Sequence, residues 1–585
     1  MKSKVDHHKK SGNLIAAKNS QDDLEVLDHI QDRVLWLSTR MIDFANNDRP
    51  NLDGIKVGGH QASSASLVTV LTSLYFNYLD SEDRISIKPH ASPVFHSIQY
   101  LLGNLEESYL RTLREAGGLQ SYPSRTKDPD TVDFSTGSVG LGAVAPLFAA
   151  VARQYVDSHF GPRPKSRFIS VIGDAELDEG NIWEALADPA TANLGSVMWV
   201  VDFNRQSLDR IIPGVRIAQW RAQFEAAGWH VKEVKYGSKL KKVFEDSGSK
   251  TFKVWFDEIP NEQYQSLFGL TAQEARIRFL EGSPDGVSQF LEKYRDEQLF
   301  EILTDLGGHD ISSLLEAFND CDEVEDKPSV VFAYTIKGWH LPIAGDKRNH
   351  SAQISKKQID ELRNSVGLSE VNEWSKFEPG SAEDALCVSR GESLKRVPNR
   401  AEIAAEFPHA TGIAPKGFSS SQEVFGRVLT EISRNEAIRP YLVTTAPDVA
   451  TSTNLGGFIN RHGIFNKDVK REWNDNSIQK WIESPKGQHI ELGISEMNLF
   501  TLLGQLGISG DISDQPLIPI GTVYDPFVLR GLDAFIYSVY SGAKFIVAGT
   551  PSGVTLAPEG GAHQSTITPS VGVELPGVVL MEPAF

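Results

Sequence analysis

Two uninterrupted apolar runs set the first expectation for this chain. FISVIG (168–173) and VMWVVDF (197–203) are β-branched and aromatic without alternation, the pattern of parallel strands buried on both faces. Between them NIWEALADPATANL (181–194) carries helical spacing, so the unit reads strand, helix, strand. The spacing also predicts helices over LEVLDHIQDRVLWLSTRMIDFA (24–45) and AVAPLFAAVARQYV (143–156). Strand and helix patterns alternate to about residue 375. The stretch 376–416 is rich in Pro, Gly, Ser and charge and predicts a linker. Beyond it YLVTTAP, PLIPIGTVY, AKFIVAGT and GVVLME (577–582) read as strands of a second unit. The expected class is α/β, with mostly parallel sheets flanked by helices. The expected division is a polar tail over 1–25, one unit over 26–375, the linker, and a second unit over 417–585.

Length and charge narrow the picture. A chain of 585 residues exceeds what one core fills, and 40% hydrophobic residues suffice for two. A net charge of −19 argues against nucleic-acid binding, which wants basic stripes. Two cysteines, Cys321 and Cys387, are too few for a disulfide framework or a cysteine-rich metal site and suit a reducing cytoplasm. The polar N-terminus is no secretory signal, and no run approaches the ~20 apolar residues of a membrane span.

The chemistry gathers where strands end. In a strand–helix–strand unit both strand ends emerge on one edge of the sheet, where open α/β sheets bind ligands. That brings Asp174, just after Gly173, beside Asn204. A carboxylate, an amide carbonyl and a nearby backbone carbonyl form a hard oxygen site suited to Mg²⁺ or Ca²⁺ with diphosphate oxygens. Each turn alone is ordinary; the pairing points to a ligand. Upstream, STGSVGLG (135–142) opens a helix, and such a terminus offers free N–H groups to phosphate. It follows a loop and not a strand, which argues against a dinucleotide fingerprint.

Four histidines lie in glycine- or proline-rich settings: His60 in VGGHQAS, His90 in KPHASP, His350 in DKRNHSAQ and His563 in EGGAHQS. One such histidine is ordinary surface; four suit proton transfer at a developing alkoxide or carboxylate. Tyr122 in GGLQSYPSR is a further candidate donor, and Glu496 in GISEMNLF begins a predicted helix.

In order along the chain, GGHQAS, HASP, GLQSYP, STGSVGLG, GDAELDE, FNRQSLD, AYTIKGW, GISE and EGGAHQS resemble the thiamin diphosphate enzymes of the transketolase and 2-oxoacid dehydrogenase superfamily. The resemblance is nearest to the homodimeric bacterial decarboxylating component of pyruvate dehydrogenase. It implies that Asp174, Asn204 and the Gln206 backbone carbonyl bind Mg²⁺, and that Ser138, Val139, Gly140, Gly173 and Ala175 line the diphosphate. It further implies that Glu496 bonds the aminopyrimidine, Ile494 supports the bent cofactor and Phe527 stacks on its ring. His60, His90, His350, His563 and Tyr122 would surround a 2-oxo acid, foremost pyruvate. The first unit would then bind diphosphate and the second pyrimidine, with the cofactor between two protomers of a homodimer. The acyl group would pass to a lipoyl group on a dihydrolipoyl acyltransferase core.

Three departures accompany the resemblance. The family's third, C-terminal domain is expected to be absent from this chain and the second unit to be incomplete at Phe585, Val449 follows Asp448 where relatives carry two acidic residues, and the N-terminal tail is unlike the docking segment of relatives. Two other readings stand beside it. One is ketol transfer between sugar phosphates; the other is a non-catalytic subunit that keeps the fold for assembly.

Overall fold

Two parallel sheets, joined by a shared layer of helices, organise the chain. The computed structural model describes residues 21–583 apart from 53, 56, 208–209, 212–215, 397–400, 404, 414–416, 448–449, 472, 474–480 and 552. The first sheet is built from β1 (Arg84–Ser86), β2 (Phe168–Gly173), β3 (Val197–Phe203), β6 (His230–Val234) and β7 (Ser329–Tyr334), in the order β1-β2-β3-β7-β6. A small antiparallel hairpin of β4 (Gln206–Ser207) and β5 (Arg210–Ile211) stands apart from it. The second sheet holds β8 (Leu442–Ala446), β9 (Ile464–Phe465), β10 (Glu483–Ser484), β11 (His489–Glu491), β12 (Ile518–Val523) and β13 (Ile546–Gly549), ordered β10-β9-β11-β8-β12-β13. Every pairing within these two sheets is parallel. The α/β class with parallel sheets is the one the apolar runs predicted.

β2 and β3 are buried along their whole length, which is why their sequences carry no polar alternation. The helix Leu141–Phe160 is apolar almost all round because it is enclosed by both units. Its side chains and those of helix Glu496–Gly507 share one continuous core with β2 and β3. The Tyr155 hydroxyl donates to the Leu442 carbonyl at 3.2 Å, tying this helix to β8. A smaller core around Phe458 and Ile459 lies on the outer side of the second sheet.

Several local expectations shift. The helix predicted over 181–194 stops at Ala187, because Pro189 disfavours helical backbone at Asp188, which instead caps a short 3₁₀ turn over Pro189–Thr191. The run 577–582 forms no strand; Val579 and Met581 are exposed and lie outside the sheet. Within the predicted linker, Ala382–Ser393 is a helix, and its buried Arg390 donates to the carbonyls of Tyr75 and Leu79 at 2.9 and 2.6 Å. The first helix starts at Gln21, inside the expected tail, with Asp22 and Asp23 favourably placed in its first turn. The Asp448–Val449 departure lies outside the described residues. No helix among the described residues is long and apolar enough to cross a membrane.

Candidate active site

The register of β2 against β3 sets Gly173 beside Asp202, so the two strand ends finish together. Asp174 follows directly, buried, with Oδ2 accepting the Arg205 N–H at 2.7 Å and Oδ1 the Ala175 N–H at 2.9 Å. Arg205 adopts a positive φ of 63°, which turns the chain sharply after β3 and aims that N–H at Asp174. Asn204 Oδ1 accepts the Gln206 N–H at 3.0 Å, and the Gln206 side chain donates to Gln265 at 3.0 Å. The structure thus brings Asp174, Asn204 and Gln206 together at one strand edge. Burial and then the neighbouring Asp202 push the Asp174 carboxyl up to about 7. Burial likewise pushes Glu176 up to about 7. Carboxylate and amide oxygens retain lone pairs beyond these bonds, so the donor set fits a hard divalent cation, whose charge would relieve the buried carboxylates.

Ser138, Val139 and Gly140 precede the helix Leu141–Phe160, and Gly140 occupies its N-cap at φ 75°. A Cβ on Gly140 would stand 2.6 Å from Asn181 Oδ1, so only glycine fits both the conformation and the space. Asn181 in turn donates to the Val139 carbonyl at 3.3 Å, fastening this loop to the helix that follows Asp174. Ala175 lies half-buried in the turn between them.

The second cluster is aromatic and basic. His60 and His90 have ring centroids 4.1 Å apart, His350 lies 4.5 Å from His60, and Tyr122 lies 5.7 Å from His90. His60 Nδ1 lies 2.8 Å from the His350 carbonyl, so that nitrogen carries the proton and Nε2 keeps its lone pair. Burial, with the Arg114, Lys337 and Lys88 charges, lowers His60; burial and then His60 lower His90 to about 2. Both imidazoles are neutral at pH 7.

His563 stands apart from this trio. Its ring meets Tyr524 and Phe527 at 5.5 and 5.7 Å, on the second unit. Glu496 starts helix Glu496–Gly507 behind the Ser495 cap, is buried, and faces Arg530 Nε at 3.1 Å. Ile494, three-quarters or more exposed at 80%, projects from the same turn. Asn498 and the Gly493 N–H both bind Asp188, which fixes this turn against the first unit. The predicted residues thus fall on both units: Asp174, Asn204 and Gln206 with the trio of His60, His90 and His350 on the first, and Glu496, Phe527 and His563 on the second.

Sequence reading missed Lys88 and Asp202. Lys88 Nζ lies 2.6 Å from Asp202 Oδ2, which also accepts from Ser66 at 2.6 Å, while Thr335 binds the other oxygen. The available signal was an aspartate inside the otherwise apolar run VMWVVDF, a position that demands a buried partner.

Known proteins similar to this chain bear on its fold and on its family. Residues 67–248 match the family described as transketolase, thiamine diphosphate binding domain. The chain is 25% identical over 573 residues to the pyruvate dehydrogenase E1 component of Escherichia coli K12, covering 92% of this chain and 64% of that protein. It is 26% identical over 579 residues to that of Mycolicibacterium smegmatis, covering 92% and 62%. The chain therefore spans less than two thirds of the length of these relatives. Among solved structures, transketolase from Leishmania mexicana superposes with a TM-score of 0.65 at 16% identity, covering 94% of this chain and 72% of that one. Transketolase from Campylobacter jejuni gives 0.63 at 16%, covering 94% and 73%. The fold is that of transketolase.

Proposed function

We propose that this chain, which carries the transketolase thiamine diphosphate-binding domain over residues 67–248, is a thiamin diphosphate- and Mg²⁺-dependent enzyme that decarboxylates a 2-oxo acid, foremost pyruvate. Its acyl product passes to a lipoyl group on a partner acyltransferase. The observation that carries the reading is the trio of His60, His90 and His350, with ring centroids 4.1, 4.5 and 5.4 Å apart, on the unit that also carries the strand-end oxygen site. Burial keeps His60 and His90 neutral, so their nitrogens can accept from or donate to a substrate oxygen.

Asp174, Asn204 and Gln206 would hold the Mg²⁺, and the loop Ser138–Gly140 with Gly173 and Ala175 would take the diphosphate. Bound there, the cofactor supplies a carbon nucleophile toward the 2-oxo carbonyl and a sink for the electron pair left by carbon dioxide. Glu496, buried at a helix N-terminus, would hold a hydrogen bond at the aminopyrimidine. His60 presents Nε2 as an acceptor because its Nδ1–H is committed to the His350 carbonyl. His90 and Tyr122 offer a donor to the substrate's oxygen, stabilising charge that grows there. Phe527, Ile494 and His563 lie on the second unit with Glu496, whereas Asp174 lies on the first. A homodimer in which each protomer lends one group to the other's site brings the full set together.

The test is release of labelled carbon dioxide from carboxyl-labelled pyruvate, with thiamin diphosphate, Mg²⁺ and lipoamide present. Release that requires the cofactor supports the reading. Bound cofactor with no release from pyruvate, but ketol transfer from a sugar phosphate, would replace it with the transketolase reaction. Bound cofactor without either would make the chain a non-catalytic subunit.

A further inference from the structure

Below the Tyr122 loop lies a buried cluster that the proposed reaction does not use. His96 sits on helix Ser92–Leu101, two residues behind whose start is His90. Its Nδ1 lies 2.7 Å from Asp130 Oδ2, and its Nε2 lies 3.9 Å from Asp128 Oδ1. All three side chains are fully shielded from solvent. His96 Nε2 and Asp130 Oδ1 have no hydrogen-bond partner. Two orphaned polar atoms in one dry cluster carry a cost of about 1–3 kcal/mol each unless something joins them.

Charge points the same way. Neither Asp128 nor Asp130 has a lysine or arginine within ion-pair distance among the described residues; His96 is their partner. A divalent cation held by an imidazole and two carboxylates would balance its own charge within the cluster. The imidazole, carboxylate and carboxylate donors all lie within 4.8 Å of one another. The 3.9 Å gap between Nε2 and Asp128 Oδ1, too long for a hydrogen bond, is spanned by two metal–ligand bonds of about 2.0–2.2 Å.

We infer that His96, Asp128 and Asp130 form a structural site for a divalent transition metal of the zinc class. An imidazole ligand disfavours Mg²⁺ and Ca²⁺, and the absence of thiolates disfavours softer ions. Its outer support is already built: Asp128 accepts the backbone N–H groups of Gln120 and Ser124 at 2.8 and 2.7 Å, one on either side of Tyr122. The ion therefore fastens the loop bearing Tyr122 to the helix behind His90, setting the 5.7 Å spacing of those two rings. The site stands independently of the proposed reaction.

The experiment uses the full chain, stripped with a chelator, returned to Zn²⁺, desalted, and assayed for bound zinc by mass spectrometry. His96→Gln and Asp128→Asn should each retain one equivalent less per chain than the unchanged protein. His60→Gln and Asp174→Asn should keep that equivalent, which separates this site from the histidine trio and from the strand-end oxygens. Equal retention by folded His96→Gln and the unchanged protein would overturn the site. Should the variants fail to fold, X-ray absorption at the zinc edge of the unchanged chain decides. A shell of one imidazole with oxygens supports the site. A shell of several imidazoles assigns the ion to His60, His90 and His350 and overturns it. No retained zinc also overturns it, leaving His96 as an imidazolium between two carboxylates.

Discussion

Lys88 Nζ stands 2.6 Å from Asp202 Oδ2, with Asp202 wholly buried and Lys88 nearly so. The pair joins the turn that carries His90 to the strand whose end carries Asn204. Burial pushes Asp202 up, but the Lys88 charge outweighs it and holds the carboxyl below its usual range. Lys88→Met strands that carboxylate in the core and should cost about 3–5 kcal/mol. The double change Lys88→Met with Asp202→Asn should cost clearly less than the two singles combined, because no unpaired charge remains. Denaturant melts of the four proteins close that cycle; strict additivity would show that the pair is not coupled.

The neutral state of His90 makes a titration prediction. Burial and its basic neighbours lower this imidazole to about 2 from an ordinary 6.5. Its ring resonances should therefore show no midpoint between pH 5 and 8. The sign for stability follows from the same depression. Below pH 6.5 the unfolded chain takes up a proton here that the folded chain refuses, so acidification withdraws stability. A His90 midpoint near 6.5 by NMR would refute the buried, neutral assignment.

Glycine positions in and beside the loop that precedes the helix Leu141–Phe160 carry a separable structural demand. Gly140→Ala forces an L side chain into a left-handed N-cap against Asn181, a strain of about 1–2 kcal/mol before any clash. A Cβ on Gly137 would stand 2.0 Å from the Tyr537 hydroxyl, across the junction between the two units. Gly137→Ala should lower the melting temperature, and the added substitution Tyr537→Ala, which removes the whole ring, should recover part of that loss. An unchanged melt for Gly137→Ala would mean that this junction yields freely.

What the sequence made legible follows from how local each signal is. The runs at 168–173 and 197–203 became strands at those same boundaries, because full burial on both faces writes itself as unbroken apolar sequence. Asp174 and Asn204 were within reach because a strand–helix–strand unit fixes where its ends meet. His60, His90 and His350 converge through loop geometry, which no periodicity encodes; residue type and glycine-rich setting alone flagged them. The Lys88–Asp202 pair joins residues remote in sequence and left only one charged letter in an apolar run. His96 with Asp128 and Asp130 left no pattern at all, since one partner lies in a helix and two in a loop. The run 577–582 misled because apolar residues also lie exposed, as Val579 does.

The division of the predicted residues between the two units sets the last expectation. On the proposed function Asp174→Asn should cripple metal and diphosphate binding and Glu496→Gln the aminopyrimidine contact, so each protein alone should have lost turnover. If each protomer lends its Glu496 to the partner's Asp174, a mixed dimer holds one site with both changes and one with neither. Unfolding and refolding the two variants together should then recover roughly a quarter of the unchanged activity, because half the dimers are mixed and each has one intact site. Sites assembled within single chains would give no recovery, since every chain carries one damaged half. The recovery should track dimer exchange, rising with the time allowed for subunits to re-pair and vanishing when either variant is refolded alone.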